Sequence, residues 1–279
     1  MFAGTAGLAA SAALFGACGG SDSTSASPAA QPFTVLPRFP NGQRMTPGSV
    51  RLAWSIADDN AATMTTGPEV LTGTIVDGDG ATVAQVSAPR RGTGLSVPYW
   101  SVTADLPSAG LYELRLDGST GSQAFMLHQA SEISIPTVGA PLPPFDTPTT
   151  ANARGVDPVC TRLDGACPFH EVSLTEALAL GKPVVYMVGT PAHCEFATCG
   201  PGLEFLIDES KQYAAAATFV HAEVYADPAA TEVAPAVTAL TLDYEPLIWV
   251  TDAAGMVVER IDIVWDAKEL SAILASVLG

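Results

Sequence analysis

Two cysteines with four residues between them are the chemically most informative feature of the sequence. They are Cys194 and Cys199 in the stretch TPAHCEFATCGPG, residues 190 to 202, and His193 stands directly before the first of them. A cysteine thiolate is both a nucleophile and a soft metal ligand. The pair could therefore be a redox couple, part of a metal site, or a disulfide that only stabilises the fold.

The spacing of the pair restricts how it can bond. Residues five apart on a regular α-helix have Cα atoms roughly 8 to 9 Å apart, which is beyond the reach of a disulfide. A bond between Cys194 and Cys199 therefore requires residues 195 to 199 to be non-helical. Pro201 suits the first turn of a helix, and the residue before a proline avoids helical dihedrals. The sequence thus predicts a loop closed by a disulfide and a helix that begins near residue 200.

A second cysteine pair precedes the first predicted helix of the C-terminal half. Cys160 and Cys167 stand in VCTRLDGACPFH, and His170 follows the second cysteine after two intervening residues. Cysteine and histidine are ligands that zinc prefers, but this stretch offers three ligands, and cysteines outside the cytoplasm commonly pair as disulfides. We therefore predict a structural disulfide between Cys160 and Cys167, with a zinc site as the alternative.

The N-terminus has the composition of a secretory leader. Residues 1–17 are small and apolar, too short for a membrane span, and lead into Cys18 and a Ser/Ala/Gly/Pro tether over 18–32. LFGAC resembles the lipobox of bacterial lipoproteins, although Phe15 stands where that family prefers Leu. No Lys or Arg precedes Cys18, which indicates a start codon further upstream. The resemblance implies lipid on Cys18 and an extracytoplasmic protein anchored to the bacterial cell membrane; secretion is the alternative.

Short runs of β-forming residues, separated by turn residues, fill the segment 33–130. Their regular spacing predicts an antiparallel β-sandwich. The phrase AGLYELRL, with Tyr112 just after a glycine turn, resembles a strand entry of immunoglobulin-like domains. The segment 131–158 has the densest proline in the chain and is typical of a semi-rigid linker between two domains.

The segment 159–279 has a different pattern, which predicts helix, strand, helix, strand, helix, strand, strand, helix. Ser173 with Glu176, and Asp266 with Glu269, have the spacing of helix N-terminal caps. This order predicts an α/β fold with a mixed sheet between layers of helices.

In its order of elements this segment resembles the thioredoxin superfamily, in which a nucleophilic cysteine follows a central strand and a cis-proline faces it. The resemblance implies that Cys194 is the attacking cysteine and Pro246 the cis-proline. Val188 replaces the buried acid of that family and His193 its tryptophan, so the proton acceptor would be His193 or Glu195. Aligning Cys199-Gly200-Pro201-Gly202 with the thioredoxin motif would instead make Cys199 the lone nucleophile.

The activity that this resemblance implies is thiol-disulfide exchange with protein thiols and disulfides, through Cys194 and Cys199. Copper handling of the Sco type is an alternative, with Cys194, Cys199 and His221 as ligands. A redox-inactive binding or structural protein with a permanent disulfide is another alternative. Peroxide reduction is disfavoured because Thr190 lies four residues before Cys194, where peroxiredoxins place threonine three before.

The overall charge excludes one class of partner. Lys and Arg total 12 against 29 Asp and Glu, which gives a formal charge of −17. A chain this acidic repels the phosphates of nucleic acids, so we predict no nucleic-acid partner. The sequence has no glycine-rich phosphate loop, no HExxH and no Ser-His-Asp arrangement, and no cofactor is expected.

Overall fold

A computed structural model describes residues 32–40, 44–194 and 196–279. The predicted leader 1–17, Cys18 and nearly all of the predicted tether lie outside the described residues. Residues 32–279 form one compact unit. Among the described residues, no helix has both the length and the apolar character needed to cross a bilayer.

The N-terminal part of the described chain is one seven-stranded antiparallel sheet in the order β1-β2-β5-β4-β3-β6-β7. Strand β4 belongs to both halves of the sheet: Thr82 to Pro89 pair with β3, and Arg90 and Arg91 pair with β5. Side chains from all seven strands meet in a single core that includes Trp54 and Trp100. The sheet therefore curls until its two halves cover the same core. Its strands are β1 Thr34–Pro37, β2 Gly48–Ala57, β3 Val70–Asp77, β4 Thr82–Arg91, β5 Tyr99–Leu106, β6 Gly110–Leu116 and β7 Gln123–Leu127.

The C-terminal part is a four-stranded sheet in the order β11-β10-β8-β9. Strands β8 and β9 are parallel, and the other pairs are antiparallel. Successive side chains of β8 point to opposite faces, and each face packs on its own apolar core. This is why the run PVVYMV is continuously apolar. The strands are β8 Val184–Val188, β9 Thr218–Ala222, β10 Leu247–Thr251 and β11 Val257–Asp262.

Helices cover both faces of this second sheet. Helices α1 and α3 contribute to one core, whereas α2 and α4 contribute to the other. The predicted capping box of Ser173 with Glu176 is present, and Asp266 caps α4 by accepting the N–H of Glu269 at 2.9 Å. The helices are a short 3-10 turn Ala130–Glu132, α1 Leu174–Ala179, α2 Cys199–Tyr213, α3 Pro235–Leu240 and α4 Ala267–Leu278. The elements between 159 and 279 follow one another in the predicted order.

The predicted fold class is wrong. The sequence predicts an immunoglobulin-like sandwich followed by an α/β thioredoxin-like fold, but the described chain is mostly β, with one seven-stranded antiparallel sheet, one four-stranded sheet and few helices. A C-terminal thioredoxin-like fold is not indicated by this architecture. The physical reason is that turn residues and alternation identify strands but not their partners, and β4 bonds to both halves of one sheet.

The proline-rich segment 131–158 lies against the second sheet along part of its length. Ile135 and Leu142 are buried in the core that α1 and α3 cover. Trp249 of β10 donates its indole N–H to the carbonyl oxygen of Pro136 at 3.0 Å. The predicted domain boundaries at 33, 130, 158 and 279 remain predictions.

A buried ion pair links the first sheet to α4. Arg51 of β2 donates to both carboxylate oxygens of Glu269, from Nε at 3.0 Å and from Nη2 at 2.7 Å. The hydroxyls of Tyr99 and Ser101 on β5 each donate to the same carboxylate at 2.6 Å. Arg51 also donates to the carbonyl oxygen of Val264 at 2.6 Å. Every lone pair of this buried carboxylate therefore faces a donor.

We expect this carboxylate to make the protein sensitive to acid. Burial disfavours the charged form of Glu269, but the charge and hydrogen bonds of Arg51, with those of Ser101 and Tyr99, outweigh it and lower the pKa from 4.5 to about 2. Because the pKa of Glu269 is lower in the folded chain than in the unfolded chain, its ionised carboxylate stabilises the fold above pH 4.5. That contribution, about 3 kcal/mol, is lost as the pH falls from 4.5 to 2.

Urea unfolding of the wild type and of Glu269→Gln at several pH values from 2 to 7 would measure this contribution. The wild-type free energy of unfolding should fall more steeply below pH 4.5 than that of the variant. Glu113→Gln, at a more exposed ion pair with Arg115, is the matched control and should keep the wild-type slope. Equal slopes in the wild type and Glu269→Gln would show that Glu269 does not carry the acid sensitivity.

Candidate redox and thiol sites

Cys194 and Cys199 form a disulfide, with their Cα atoms 5.9 Å apart. The chain leaves the buried strand β8, passes through Gly189 and Thr190, and turns around the disulfide before α2 begins at Cys199. Ala197 has a φ of 53°, in the left-handed region, so the chain between the cysteines is not helical. The prediction of a non-helical loop holds for residues 196–198, whereas Cys199 is already the first residue of α2, one residue before the expected helix start.

The two sulfur-bearing residues differ in exposure. Cys199 is fully buried, whereas Cys194 is partly exposed. The backbone N–H of Cys199 points at the Sγ of Cys194 at 3.2 Å. Because Cys199 is the first residue of a 15-residue helix, its sulfur also lies at the positive end of the helix dipole. A thiol of another molecule can therefore reach Cys194 far more easily than Cys199.

Glu245 and Pro246 lie beside the disulfide. The Glu245–Pro246 peptide is cis, and Pro246 is buried. A Cβ added at Gly189 would be 3.1 Å from the Cβ of Pro246 and 3.6 Å from that of Cys199, so these three residues are in close contact. A carboxylate oxygen of Glu245 lies within 4.8 Å of both sulfurs. Its Oε2 accepts the backbone N–H of Thr190 at 2.6 Å, which fixes the carboxylate next to the loop.

His193, one of the two expected proton acceptors, does not lie against the sulfurs. Its side chain is exposed and packs edge-on against Tyr225, with ring centroids 5.8 Å apart. His193 is not grouped with the two sulfurs. Among the described residues, the titratable side chain that lies beside both sulfurs is Glu245. Glu195, the other expected proton acceptor, lies outside the described residues. Glu245 is therefore the described group best placed to exchange a proton with a thiol of this pair.

A groove adjoins the cysteine loop on the side of the first sheet. Phe196, two residues after Cys194, lines it together with side chains from both parts of the chain. Phe196 is exposed to solvent by 38%, and Met126 by 36%. The remaining wall of the groove is formed by Pro37, Phe39, Pro40, Arg44, His128, Asp243, Tyr244 and Ile263. Exposed apolar surface therefore lies next to the disulfide.

The predicted disulfide between Cys160 and Cys167 is not present, because both residues are buried free cysteines. Their sulfurs face His221 of β9, whose Nδ1 lies 3.8 Å from the Sγ of Cys160 and 3.6 Å from the Sγ of Cys167. His170 joins them, with its Nε2 3.2 Å from the Nδ1 of His221. One ligand atom from each of the four residues lies within 4.8 Å of the other three.

The electrostatics of this cluster favour a thiolate at Cys160. The hydrogen bond from the Cys167 thiol, with those from His170 and His221, lowers the pKa of Cys160 despite its burial. Burial by itself would lower the pKa of His221, but the hydrogen bond and charge of Cys160 outweigh it, and the net shift of that pKa is upward. The backbone N–H of Cys167 also donates to the Sγ of Cys160, at 3.5 Å.

The Sco-type ligand set is not assembled. His221 belongs to the cluster with Cys160, Cys167 and His170, and among the described residues the group that joins Cys194 and Cys199 is Glu245. The Nε2 of His221 instead donates to the carbonyl oxygen of Gly189 at 2.9 Å. His221 stands 61 residues after Cys160, so no local motif could assign it to that pair.

Comparison of the chain with protein-family models, with curated proteins and with solved structures found no match.

Proposed function

We propose that Cys194 and Cys199 are a redox-active pair that exchanges disulfides with protein thiols. The observation that carries the proposal is the asymmetry of the pair: Cys194 is partly exposed, whereas its partner Cys199 is fully buried at the first turn of α2. A disulfide that only stabilises a loop has no need of such a difference. An exchange reaction needs this difference, because one sulfur must meet the substrate and the other must be protected until the second step.

The exchange proceeds in two steps. The Cys194 thiolate attacks one sulfur of a substrate disulfide, forms a mixed disulfide and releases the other substrate sulfur as a thiolate. The Cys199 thiolate then attacks the Sγ of Cys194, which releases the second substrate thiolate and closes the disulfide seen in the structure. Two electrons pass from the protein to the substrate, and an external dithiol reductant restores the reduced form.

The surroundings of the pair support each step. The N–H of Cys199, 3.2 Å from the Sγ of Cys194, favours negative charge on that sulfur. The Glu245 carboxylate lies within 4.8 Å of both sulfurs and can accept the proton of the Cys199 thiol before the second step. The exposed side chains of Phe196, two residues after Cys194, and of Met126 line a groove that offers apolar contact to a substrate. This surface suits an extended segment of a polypeptide better than a small hydrophilic thiol.

The proposed site of action is outside the cytoplasm. Structural and catalytic disulfides persist in oxidising compartments, which agrees with the predicted leader and the lipid expected on Cys18. We propose that the protein works at the outer face of the bacterial cell membrane. Its partners would be secreted or membrane-bound proteins with exposed thiols or disulfides.

The redox potential of the pair tests the proposal. The full chain is equilibrated in dithiothreitol buffers, alkylated, and digested, so that the peptide with Cys194 and Cys199 is quantified separately from the one with Cys160 and Cys167. We expect a potential more oxidising than about −300 mV and turnover of insulin disulfides with dithiothreitol as reductant. A potential below about −300 mV, or no insulin turnover above the dithiothreitol background, would mean that the bond is a permanent structural disulfide.

A further inference from the structure

We propose that Cys160, Cys167, His170 and His221 form a closed tetrahedral zinc site. The four residues come from two distant parts of the chain: three lie in the loop before α1, and His221 lies on β9. Two sulfurs and two imidazole nitrogens are a ligand set that tetrahedral zinc takes in structural sites. This inference concerns a different cluster from the Cys194–Cys199 pair and does not depend on the proposed redox function.

The distances between the ligand atoms fit such a site. Zinc bonds of about 2.3 Å to sulfur and about 2.05 Å to nitrogen, at tetrahedral angles, place sulfur about 3.6 Å from nitrogen and the two nitrogens about 3.3 Å apart. The corresponding distances here are 3.8 and 3.6 Å from the sulfurs to Nδ1 of His221, and 3.2 Å between the two imidazole nitrogens. These three distances match the spacing that tetrahedral zinc requires, and the other pairs of ligand atoms lie within 4.8 Å of each other.

The hydrogen bonds of the two histidines direct their free nitrogens at one point. A carbonyl oxygen only accepts, so the Nε2 of His221 must donate its proton to Gly189 at 2.9 Å, which leaves a lone pair on Nδ1 when the ring is neutral. In the same way the Nδ1 of His170 faces the carbonyl oxygen of Pro148 at 3.5 Å, which leaves the lone pair on Nε2. Two lone pairs 3.2 Å apart repel each other unless a proton or a metal ion lies between them. Backbone carbonyls that fix the tautomer in this way are typical partners of histidine ligands to metals.

Burial and charge indicate a structural site. The exposed fractions are 7% for Cys160, 3% for Cys167, 1% for His170 and 0% for His221, so no position is open for a substrate or a water molecule. A divalent ion bound by two thiolates and two neutral imidazoles has no net charge, which makes its burial inexpensive. The ion would fix the loop 160–170 to β9. Through His221 and Gly189 it would also support the backbone beneath the Cys194–Cys199 loop.

The test begins with the wild-type full chain, purified without chelator and kept from oxidation. We expect about one zinc per chain by elemental analysis, and an X-ray absorption spectrum with two sulfur and two nitrogen neighbours near 2.3 and 2.05 Å. Replacing zinc by Co²⁺ should give the intense visible bands of a tetrahedral ion with thiolate ligands. These measurements need no variant, so they stand even if a variant fails to fold.

Variants then assign the ligands. Cys167→Ala and His170→Ala should each lower zinc affinity at least tenfold in a competition with a chromogenic chelator. Cys194→Ser with Cys199→Ser, the matched control, should keep the wild-type affinity. The proposal is overturned by either of two results: no zinc bound by the freshly reduced wild type, or a disulfide between Cys160 and Cys167 in the purified protein.

Discussion

We expect Cys194→Ser to lose disulfide exchange, and Cys199→Ser to stop at the mixed disulfide. Cys194 is the sulfur that a substrate can reach, and a serine hydroxyl is not nucleophilic enough to replace it at neutral pH. Removing the nucleophile should lower insulin reduction on the order of a thousandfold or more, to the background of the reductant. Cys199 is fully buried and cannot take over the attack.

The Cys199→Ser variant separates the two steps of the reaction. Its Cys194 thiolate can still attack a substrate disulfide, but no neighbouring thiol is present to release the substrate. The mixed disulfide should therefore accumulate and be visible on a non-reducing gel and by mass spectrometry. The two variants are matched, since each removes the same disulfide and leaves the other sulfur in place. Equal adduct formation by both variants, or adducts on Cys199 alone, would contradict the assignment of Cys194 as the attacking residue.

The second large effect concerns stability. Arg51→Met should lower the free energy of unfolding by about 3 to 5 kcal/mol, because it removes the directly bonded counter-charge of the buried Glu269 carboxylate and leaves only Arg91, whose Nε is 3.8 Å from Oε1. The side chains of Arg51 and Glu269 are exposed by only 11% and 8%, so water cannot replace the lost partner. The hydroxyls of Tyr99 and Ser101 would still donate to the carboxylate, but they carry no charge.

Two further variants make this prediction specific. Arg51→Met combined with Glu269→Leu removes both charges and should recover most of the loss, since an unpaired buried charge costs more than an apolar pair of similar size. Arg115→Met is the matched control, because Arg115 pairs with Glu113 on the same sheet but has a side chain exposed by 51%. The free energy of unfolding of Arg115→Met should fall by less than about 1 kcal/mol. Urea denaturation of all four proteins at pH 7 gives the comparison, and a loss in Arg51→Met no larger than that in Arg115→Met would refute it.

The sequence was most informative where a structural property depends on neighbouring residues. Ser173 with Glu176 marks a helix start because a cap and its donor are one helical turn apart, and the structure has both hydrogen bonds of that capping box. The i to i+5 spacing of Cys194 and Cys199 determined that their bond excludes a helix, and the loop between them is not helical. The apolar run before this loop predicts a strand buried on both faces, as β8 is.

Strand pairing could not be obtained in this way. Alternation and turn residues place the strands of the first sheet, but bonding between strands depends on register and edge contacts across the whole segment. The short contact of Arg90 and Arg91 with β5 makes one sheet out of what the sequence predicts as two. The fold class was wrong for this reason, even though the segment 33–130 consists mainly of strands, as predicted.

The sequence by itself determined the local chemistry: which cysteines are close along the chain, where helices begin, and that a bond between Cys194 and Cys199 excludes a continuous helix between them. The tertiary structure decided which groups meet. His221 joins Cys160, Cys167 and His170 rather than Cys194, and Glu269 meets Arg51 across 218 residues of chain. The packing of whole sheets and helices determines such partners, because burial brings these residues together although they are far apart along the chain. The disulfide loop could thus be found from residue spacing, whereas the four-ligand cluster and the buried ion pair could be found only in the folded chain.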